Sequence, residues 1–248
     1  MSIKNTFISI FARVWALWGM VSFVVTFLII FMPSMCTHLI RDKQKSQSVF
    51  IYISKIWMRV WLVLVGCPIR IVGTANFKKG ETYIITINHN TLLDIPISCP
   101  FIPSGNKTIA KSSFTKVPLF GLFYAKGAVL VDRKNEKSRR ESFYEMKDVL
   151  KHKIHMCIYP EGTRNRTKEP LKSFYDGAFK LAAETQVSII PTLIFNTNKA
   201  MPNNKLFYLL PHKLEMHFLP AIPVNNQSAA ALKEKVYNTM LDYYTVKK

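Results

Sequence analysis

The sequence predicts an α/β fold: a mainly parallel central sheet flanked by helices, preceded by an N-terminal membrane-associated helical segment. Three observations predict it. Beyond about residue 67, short apolar runs bounded by turns alternate with stretches of helical spacing, the pattern of a layered domain built on a parallel sheet. The runs are apolar almost throughout, as strands covered on both faces are. Ahead of them, VWALWGMVSFVVTFLIIFM, residues 14–32, extends for 19 residues without a charge.

That first run is near the length needed to cross a bilayer core. It lacks the compact basic start and small-residue cleavage site of a secretory signal peptide. RDKQKS follows, and then VFIYISKIWMRVWLVLVG, residues 49–66. Lys55 and Arg59 stand one helical turn apart in this second segment, with Trp57 and Trp61 nearby. That composition suits an interfacial helix, because charges are costly at the bilayer centre and indoles favour its edge. A spanning helix and a half-inserted hairpin both fit. The cluster Arg41, Lys43 and Lys45 points to the cytoplasmic face of the inner or plasma membrane, against the opposing Lys4 and Arg13. The expected division is residues 1–66 as membrane-anchoring helices and residues 67–248 as the α/β domain.

Within the domain, PIRIVG, TYIITI, GAVLVD, IHMCIY and VSIIPTLIF read as strands. Residues 136–153 place Phe143, Met146, Val149 and Leu150 at helical spacing. SFYDGAFKLAAET and AAALKEKVYNTMLDYYTV read as further helices, the latter near the end of the chain.

Composition narrows the partners. Apolar residues make up 49% of the 248 and charged residues 20%, enough for a sizeable core. Lys and Arg number 34 against 15 Asp and Glu, a formal charge of +19, so the partners are anions: nucleic acid, anionic lipid or a phosphorylated substrate. The greasy N-terminus and the absence of a nucleic-acid-binding motif argue against nucleic acid. Cys36, Cys67, Cys99 and Cys157 show no CxxC spacing, so neither a disulfide framework nor a zinc site is expected.

INHNTLLD, residues 87–94, puts His89 and Asp94 five positions apart just after an apolar strand. On a continuous helix such positions diverge by about 140°, so the two side chains meet only if the chain turns between them. Asp94 could simply cap the helix that Pro96 begins, leaving His89 as an ordinary turn residue. Alternatively the carboxylate orients the imidazole, whose other nitrogen then accepts a proton. With no serine or cysteine partner nearby, the hydroxyl so activated would belong to a substrate.

Three later stretches bear on the choice: IAKSSFTKVPLFG leading into GAVLVDR, then IYPEGTRN, then SIIPT. In order and spacing, NHNTLLD, VDR, YPEGTR and IIP resemble the motif series of the glycerolipid acyltransferases, the family of 1-acyl-glycerol-3-phosphate acyltransferases. The resemblance covers about residues 80–192. It implies acyl transfer from acyl-CoA or acyl carrier protein to the free hydroxyl of lysophosphatidate, giving phosphatidate. His89 is the implied base and Asp94 its partner. Glu161, Gly162, Thr163 and Arg164 are implied to bind the acceptor, with Arg133 and Lys111 adding positive charge. Gly162 lets backbone approach a ligand, and Arg164 offers the fork that phosphate accepts. Glu161 is odd beside a phosphate; holding Arg164 or accepting from a glycerol hydroxyl suits it better. Pro191 is expected at a strand end, and Asp132 beside Arg133. No metal or cofactor is implied beyond the thioester co-substrate. The partners are the lysolipid, the donor (including acyl carrier protein) and membrane phospholipid. Tyr159 and Asn165 stand where Phe and Ser are usual, and FYDG lacks the lysine of F-K-x-G. Another acceptor, a lyso-ornithine lipid or lysophosphatidylglycerol, fits the same motifs, as does a non-enzymatic membrane-anchored binding protein of this fold.

Overall fold

A computed structural model describes residues 3–247. The chain opens with α1 (Ile3–Cys36), turns through Thr37–Leu39, and returns as α2 (Lys43–Leu64), whose N-terminus is capped by the Asp42 carboxylate accepting the Lys45 amide at 2.7 Å. Aromatic side chains join the two helices. The Phe23 and Phe27 rings lie 4.8 and 5.5 Å from Trp57, and the Trp61 indole N–H donates to the Gly19 carbonyl at 3.0 Å. A buried indole needs such an acceptor, so Trp57 likewise donates to Thr26 Oγ1 at 2.9 Å.

Then follow β1 (Ile69–Val72), β2 (Ile84–Ile87), α3 (Asp94–Ser98), β3 (Asn106–Lys111), α4 (Phe120–Gly127), β4 (Ala128–Val131), α5 (Glu136–Lys151) and β5 (His155–Ile158). The chain continues through α6 (Gly177–Thr185), β6 (Ile189–Phe195), α7 (Thr197–Ala200), β7 (Leu214–Phe218) and α8 (Ala229–Lys247). The strands form one sheet in the order β1-β7-β6-β2-β5-β3-β4, with β6–β7 the antiparallel pair. Ile85, Ile87, Ile190 and Ile194 face α2, packing on Trp57, Met58, Trp61 and Leu62. Ile84, Met156 and Leu193 face the opposite layer, where α5, α6 and α8 contribute Met146, Phe179 and Val236. Helices thus cover both faces, the expected α/β architecture.

The five expected strands are present with trimmed ends. β3 and β7 were not anticipated. The former reads NKTIAK and the latter LEMHF, so neither has the apolar run of a doubly covered strand; neighbouring strands supply the pairing that composition does not advertise. The α5 helix stops at Lys151, and Lys153 adopts φ 55° beyond it. Pro191 lies inside β6 rather than at its end. It is tolerated there because the β6–β7 ladder registers only from Thr192 onward, while the Pro191 carbonyl still accepts the Leu219 amide at 2.8 Å.

On the outer faces, α1 exposes Phe7, Phe11, Leu17, Val21, Val25 and Leu28, and α2 exposes Tyr52, Ile56, Val60 and Val63. Both helices are long and apolar enough to cross a membrane. The α2 helix also closes one face of the sheet, so its inner side is committed to the domain core.

His155 begins β5 fully enclosed, and its Nδ1 accepts the Tyr83 amide at 3.1 Å. Burial lowers its pKa to about 4. The unfolded chain therefore takes up a proton between about pH 6.5 and 4 that the native protein refuses, and stability is lost as pH falls through that window. Glu161, raised to about 7 by burial, has the opposite slope, its contribution falling as pH rises from about 4.5 to 7. The difference between wild type and His155→Asn isolates the histidine. In urea unfolding, that difference should shrink by about 3 kcal/mol between pH 7 and pH 4.

Candidate active site

The sequence motifs converge at the carboxyl ends of the parallel strands, beside β2. The chain passes from β5 on one side of β2 to β6 on the other, which makes this the crevice where open α/β sheets hold ligands. Where β2 ends, the buried Asn88 side chain replaces a ladder pair: Nδ2 donates to the Ile194 carbonyl at 3.1 Å and Oδ1 accepts the Ile194 amide at 2.7 Å. His89 follows at the turn.

The turn closes the five-residue gap. Asp94 N–H bonds back to the Thr91 carbonyl and Ile95 N–H to that of Leu92, so α3 starts under the histidine. Asp94 is fully buried, and its Oδ2 accepts from His89 Nδ1 at 2.9 Å, from the Asn90 amide and from the Thr91 amide at 2.7 Å. Helix capping would direct the carboxylate forward to amides of α3, and Pro96 has none to offer. The bonds run backward instead, onto the histidine and its turn. Because a carboxylate oxygen only accepts, Nδ1 carries the proton and Nε2 keeps the lone pair. The ring is 12% exposed.

The stretch after β5 grips the same histidine from the other side. The Glu161 carboxylate accepts the His89 amide at 2.8 Å and the Lys172 amide at 3.2 Å, while the Asn165 amide donates to the His89 carbonyl at 2.6 Å. The PEGTRN turn thus clamps both polar groups of the His89 peptide. Glu161 is wholly buried with its oxygens on backbone amides rather than on Arg164. The Tyr159 ring lies against His89 with centroids 4.4 Å apart and the planes tilted by 33°, and its hydroxyl donates toward the Asp94 carbonyl at 3.0 Å and Ser98 Oγ at 2.8 Å. A phenylalanine there could make the ring contact but could not tie α3 to β5. Gly162 has φ +69°, and a Cβ on it would lie 2.7 Å from the Tyr175 ring, so both conformation and space demand glycine.

The Arg133 guanidinium crosses from the end of β4 and donates to the Gly162 carbonyl. Asp132 does not pair with it but accepts the Lys134 amide at 3.0 Å. Lys172 Nζ donates to Thr163 Oγ1 at 2.9 Å, bringing a cation that the motif reading did not include. Arg164 is half-buried, and Lys111 ends β3 with its side chain exposed. Asn203 was also missed. From a loop after α7 its Nδ2 donates to the Asn165 carbonyl at 3.0 Å and to that of Asn90. A lone asparagine more than 100 residues from the histidine carries no sequence signal.

Beside the turn lies an apolar chamber of about 300 Å³, walled by Phe50, Ile51, Met58, Ile95, Phe120 and Phe123. A protein-family model described as Acyltransferase matches residues 68–195, about half of the chain and the span that contains every motif above. The chain belongs to the Acyltransferase family. Three curated relatives carry the name 1-acyl-sn-glycerol-3-phosphate acyltransferase. Those of Saccharomyces cerevisiae and Cocos nucifera are 31% and 34% identical, over 58% and 60% of this chain and 48% and 47% of themselves. That of Borreliella burgdorferi is 30% identical over 60% of each chain. This family member thus spans about half the length of the first two. Its fold is that of the crystal structure of the 1-acyl-sn-glycerophosphate (LPA) acyltransferase PlsC from Thermotoga maritima, with a TM-score of 0.79, 20% identity and 95% of both chains covered.

Proposed function

We propose that this protein moves a fatty acyl group from an acyl thioester to the free hydroxyl of 1-acyl-glycerol-3-phosphate, giving phosphatidate. The observation that carries the reading is the His89–Asp94 pair at 2.9 Å, its backbone clamped by the PEGTRN turn. The names of the three relatives favour lysophosphatidate as acceptor. In this reading His89 Nε2 takes the proton of the acceptor hydroxyl as its oxygen attacks the thioester carbonyl. Asp94 holds the tautomer and stabilises the imidazolium. As the tetrahedral intermediate collapses, the C–S bond breaks and His89 returns the proton to the departing thiolate. The product is an ester and a free thiol, with no acyl-enzyme and no metal required. Positioning of two bound substrates and proton transfer supply the acceleration, the latter about 10²–10⁴-fold.

The acceptor phosphate is assigned to Arg164 and Arg133, with Thr163, Gly162 and the lysines Lys111 and Lys172 around it. Glu161 serves the acceptor indirectly, by fixing the PEGTRN turn against His89. The apolar chamber takes the chain being transferred. Residues 1–66 anchor the protein at the cytoplasmic face of a membrane, and residues 67–248 carry the chemistry. The +19 charge then draws both anionic headgroups and a phosphorylated donor to the site.

Acyl transfer by the detergent-solubilised protein tests the reading, with labelled acyl-CoA and acyl carrier protein as alternative donors. Lysophosphatidate is offered beside lysophosphatidylglycerol and a lyso-ornithine lipid. The expected result is labelled phosphatidate. Product from another acceptor alone replaces the substrate, and no product with any pair overturns the enzymatic reading.

A further inference from the structure

A reaction between two chain-bearing lipids needs room for both chains at one base. Two cavities with mainly apolar walls adjoin the His89–Asp94 turn, while a third, beside Asn90, is lined mostly by polar side chains and offers hydrocarbon little. The chamber described above has no charged side chain in its wall. The second, about 840 Å³, runs between α1 and the loop 201–209. Gly19 and Met20 of α1 form one side and Phe207 and Leu209 the other, with Arg164 and Arg166 also in the lining. Phe23 and Leu92 belong to the walls of both cavities. Leu92 lies within the turn that joins His89 to Asp94, so the two cavities share a wall in that turn.

We propose that this second cavity holds the acceptor's own acyl chain: a lysophospholipid lies with its phosphate at Arg164, where the cavity's lining adds Arg166 to the charge already assigned there, and its hydrocarbon along α1. The assignment rests on the acyl-transfer reading above, and it deepens that reading by giving each chain its own cavity. Charge decides which chain goes where. In a lysophosphatidate the phosphate sits a few bonds from the attacking hydroxyl, so it must lie close to His89. In an acyl thioester the phosphates are at the far end of the carrier arm. Arginines in the lining of one cavity therefore match the acceptor, since guanidinium and phosphate pair through charge-assisted hydrogen bonds. The uncharged chamber suits a chain whose headgroup stays outside.

The loop is built for this task. Its Leu209 amide donates to the Ala12 carbonyl at 3.1 Å, which latches it to α1. A Cβ on Gly19 would come within 2.8 Å of Leu209, so the close approach of loop and helix uses the missing side chain. Leu206 is 89% exposed and Phe207 is also exposed, extending the apolar outer surface of α1 around the cavity's rim. Asn203, in the same loop, is bonded to the Asn90 and Asn165 carbonyls, so the acceptor groove and the catalytic turn are mechanically one piece. A single-chain amphiphile could enter from lipid past Met20 and Phe207 without passing through the chamber.

Two measurements test the assignment. Lysophosphatidate with a diazirine near the end of its acyl chain is photolysed with the wild-type protein in detergent, and the labelled residues are identified by mass spectrometry. Labels on Met20, Phe207 and Leu209 are expected. Labels on Phe50, Met58 or Phe123, or on neither cavity, overturn the groove. Second, Met20→Trp at the exposed rim should lower the ratio of kcat/KM for long-chain over six-carbon lysophosphatidate about tenfold, the factor that loss of roughly two buried methylenes produces. Its preference among acyl-CoA chain lengths should not move. An unchanged acceptor ratio, or a shift in donor preference instead, overturns the proposal. If wild type acylates no lysolipid, the acyl-transfer reading itself fails, whereas transfer with the wrong labelling or ratio leaves that reading intact and removes only the groove.

Discussion

His89→Ala is expected to lower kcat for acyl transfer by about 10²–10⁴-fold, the usual contribution of a positioned general base. The KM values for donor and acceptor should change little. Neither cavity counts the His89 ring among its walls, and the backbone clamp from Glu161 and Asn165 uses main-chain atoms that alanine retains. The loss should therefore appear in turnover rather than in binding. Near-wild-type activity in a folded His89→Ala protein would exclude the proposed base. A rise in KM with kcat preserved would make His89 a binding residue instead.

Asp94→Asn should cost about 10²-fold in kcat with little change in stability. Asp94 Oδ2 holds three donors, whereas Oδ1 has no hydrogen-bond partner. Asparagine can keep its carbonyl oxygen on those donors and place its NH₂ where Oδ1 now has no donor to lose, preserving the tautomer but losing the charge. A charge-assisted bond is worth about 1.5–3 kcal/mol, and the upper end corresponds to about a hundredfold in rate. Asp94→Ala should behave differently. It strands the buried amides of Asn90 and Thr91 at about 1–3 kcal/mol each, so its thermal midpoint should fall along with its rate. Kinetics and thermal melts of both variants decide between orientation and scaffolding. Equal activity of Asn and wild type would remove the electrostatic role of Asp94, and equal melting of Asn and Ala would remove the structural one.

Local chemistry made much of this molecule legible. The charge-free N-terminal run, the strands β1, β2, β4, β5 and β6, and the long α5 and α8 helices announced themselves through largely apolar runs or helical periodicity. These signals survive in sequence because burial on both faces of a sheet leaves little room for polar residues. The strands β3 and β7 left no such mark. NKTIAK and LEMHF are recruited by their neighbours, and in β7 the polar pair is reconciled locally, Glu215 Oε2 lying 2.7 Å from His217 Nε2.

At the site, the residue types were readable while several of their relationships were not. The spacing of His89 and Asp94 required a turn, and the fold provides one. Glu161, read as a partner for Arg164 or a glycerol hydroxyl, has its two oxygens on the amides of His89 and Lys172. A carboxylate bound to main-chain donors has no complementary side chain for sequence to reveal. Tyr159 and Asn165 looked like departures from a motif, yet the Tyr159 ring lies against His89 and the Asn165 side chain bonds Thr167 and the Glu169 carbonyl, bracing the turn whose main-chain amide fastens the His89 carbonyl. Lys172 brings its cation to Thr163 from outside the motif, and Asn203 reaches Asn90 across 113 positions. By itself the sequence determined the layers, the strongly basic charge and the presence of an imidazole and a carboxylate at a turn, because hydrophobic periodicity, net charge and functional groups are properties of residues. Tertiary structure alone decided which backbone groups hold the histidine still and that two mainly apolar cavities adjoin its turn, because those are distances between segments that only packing brings together.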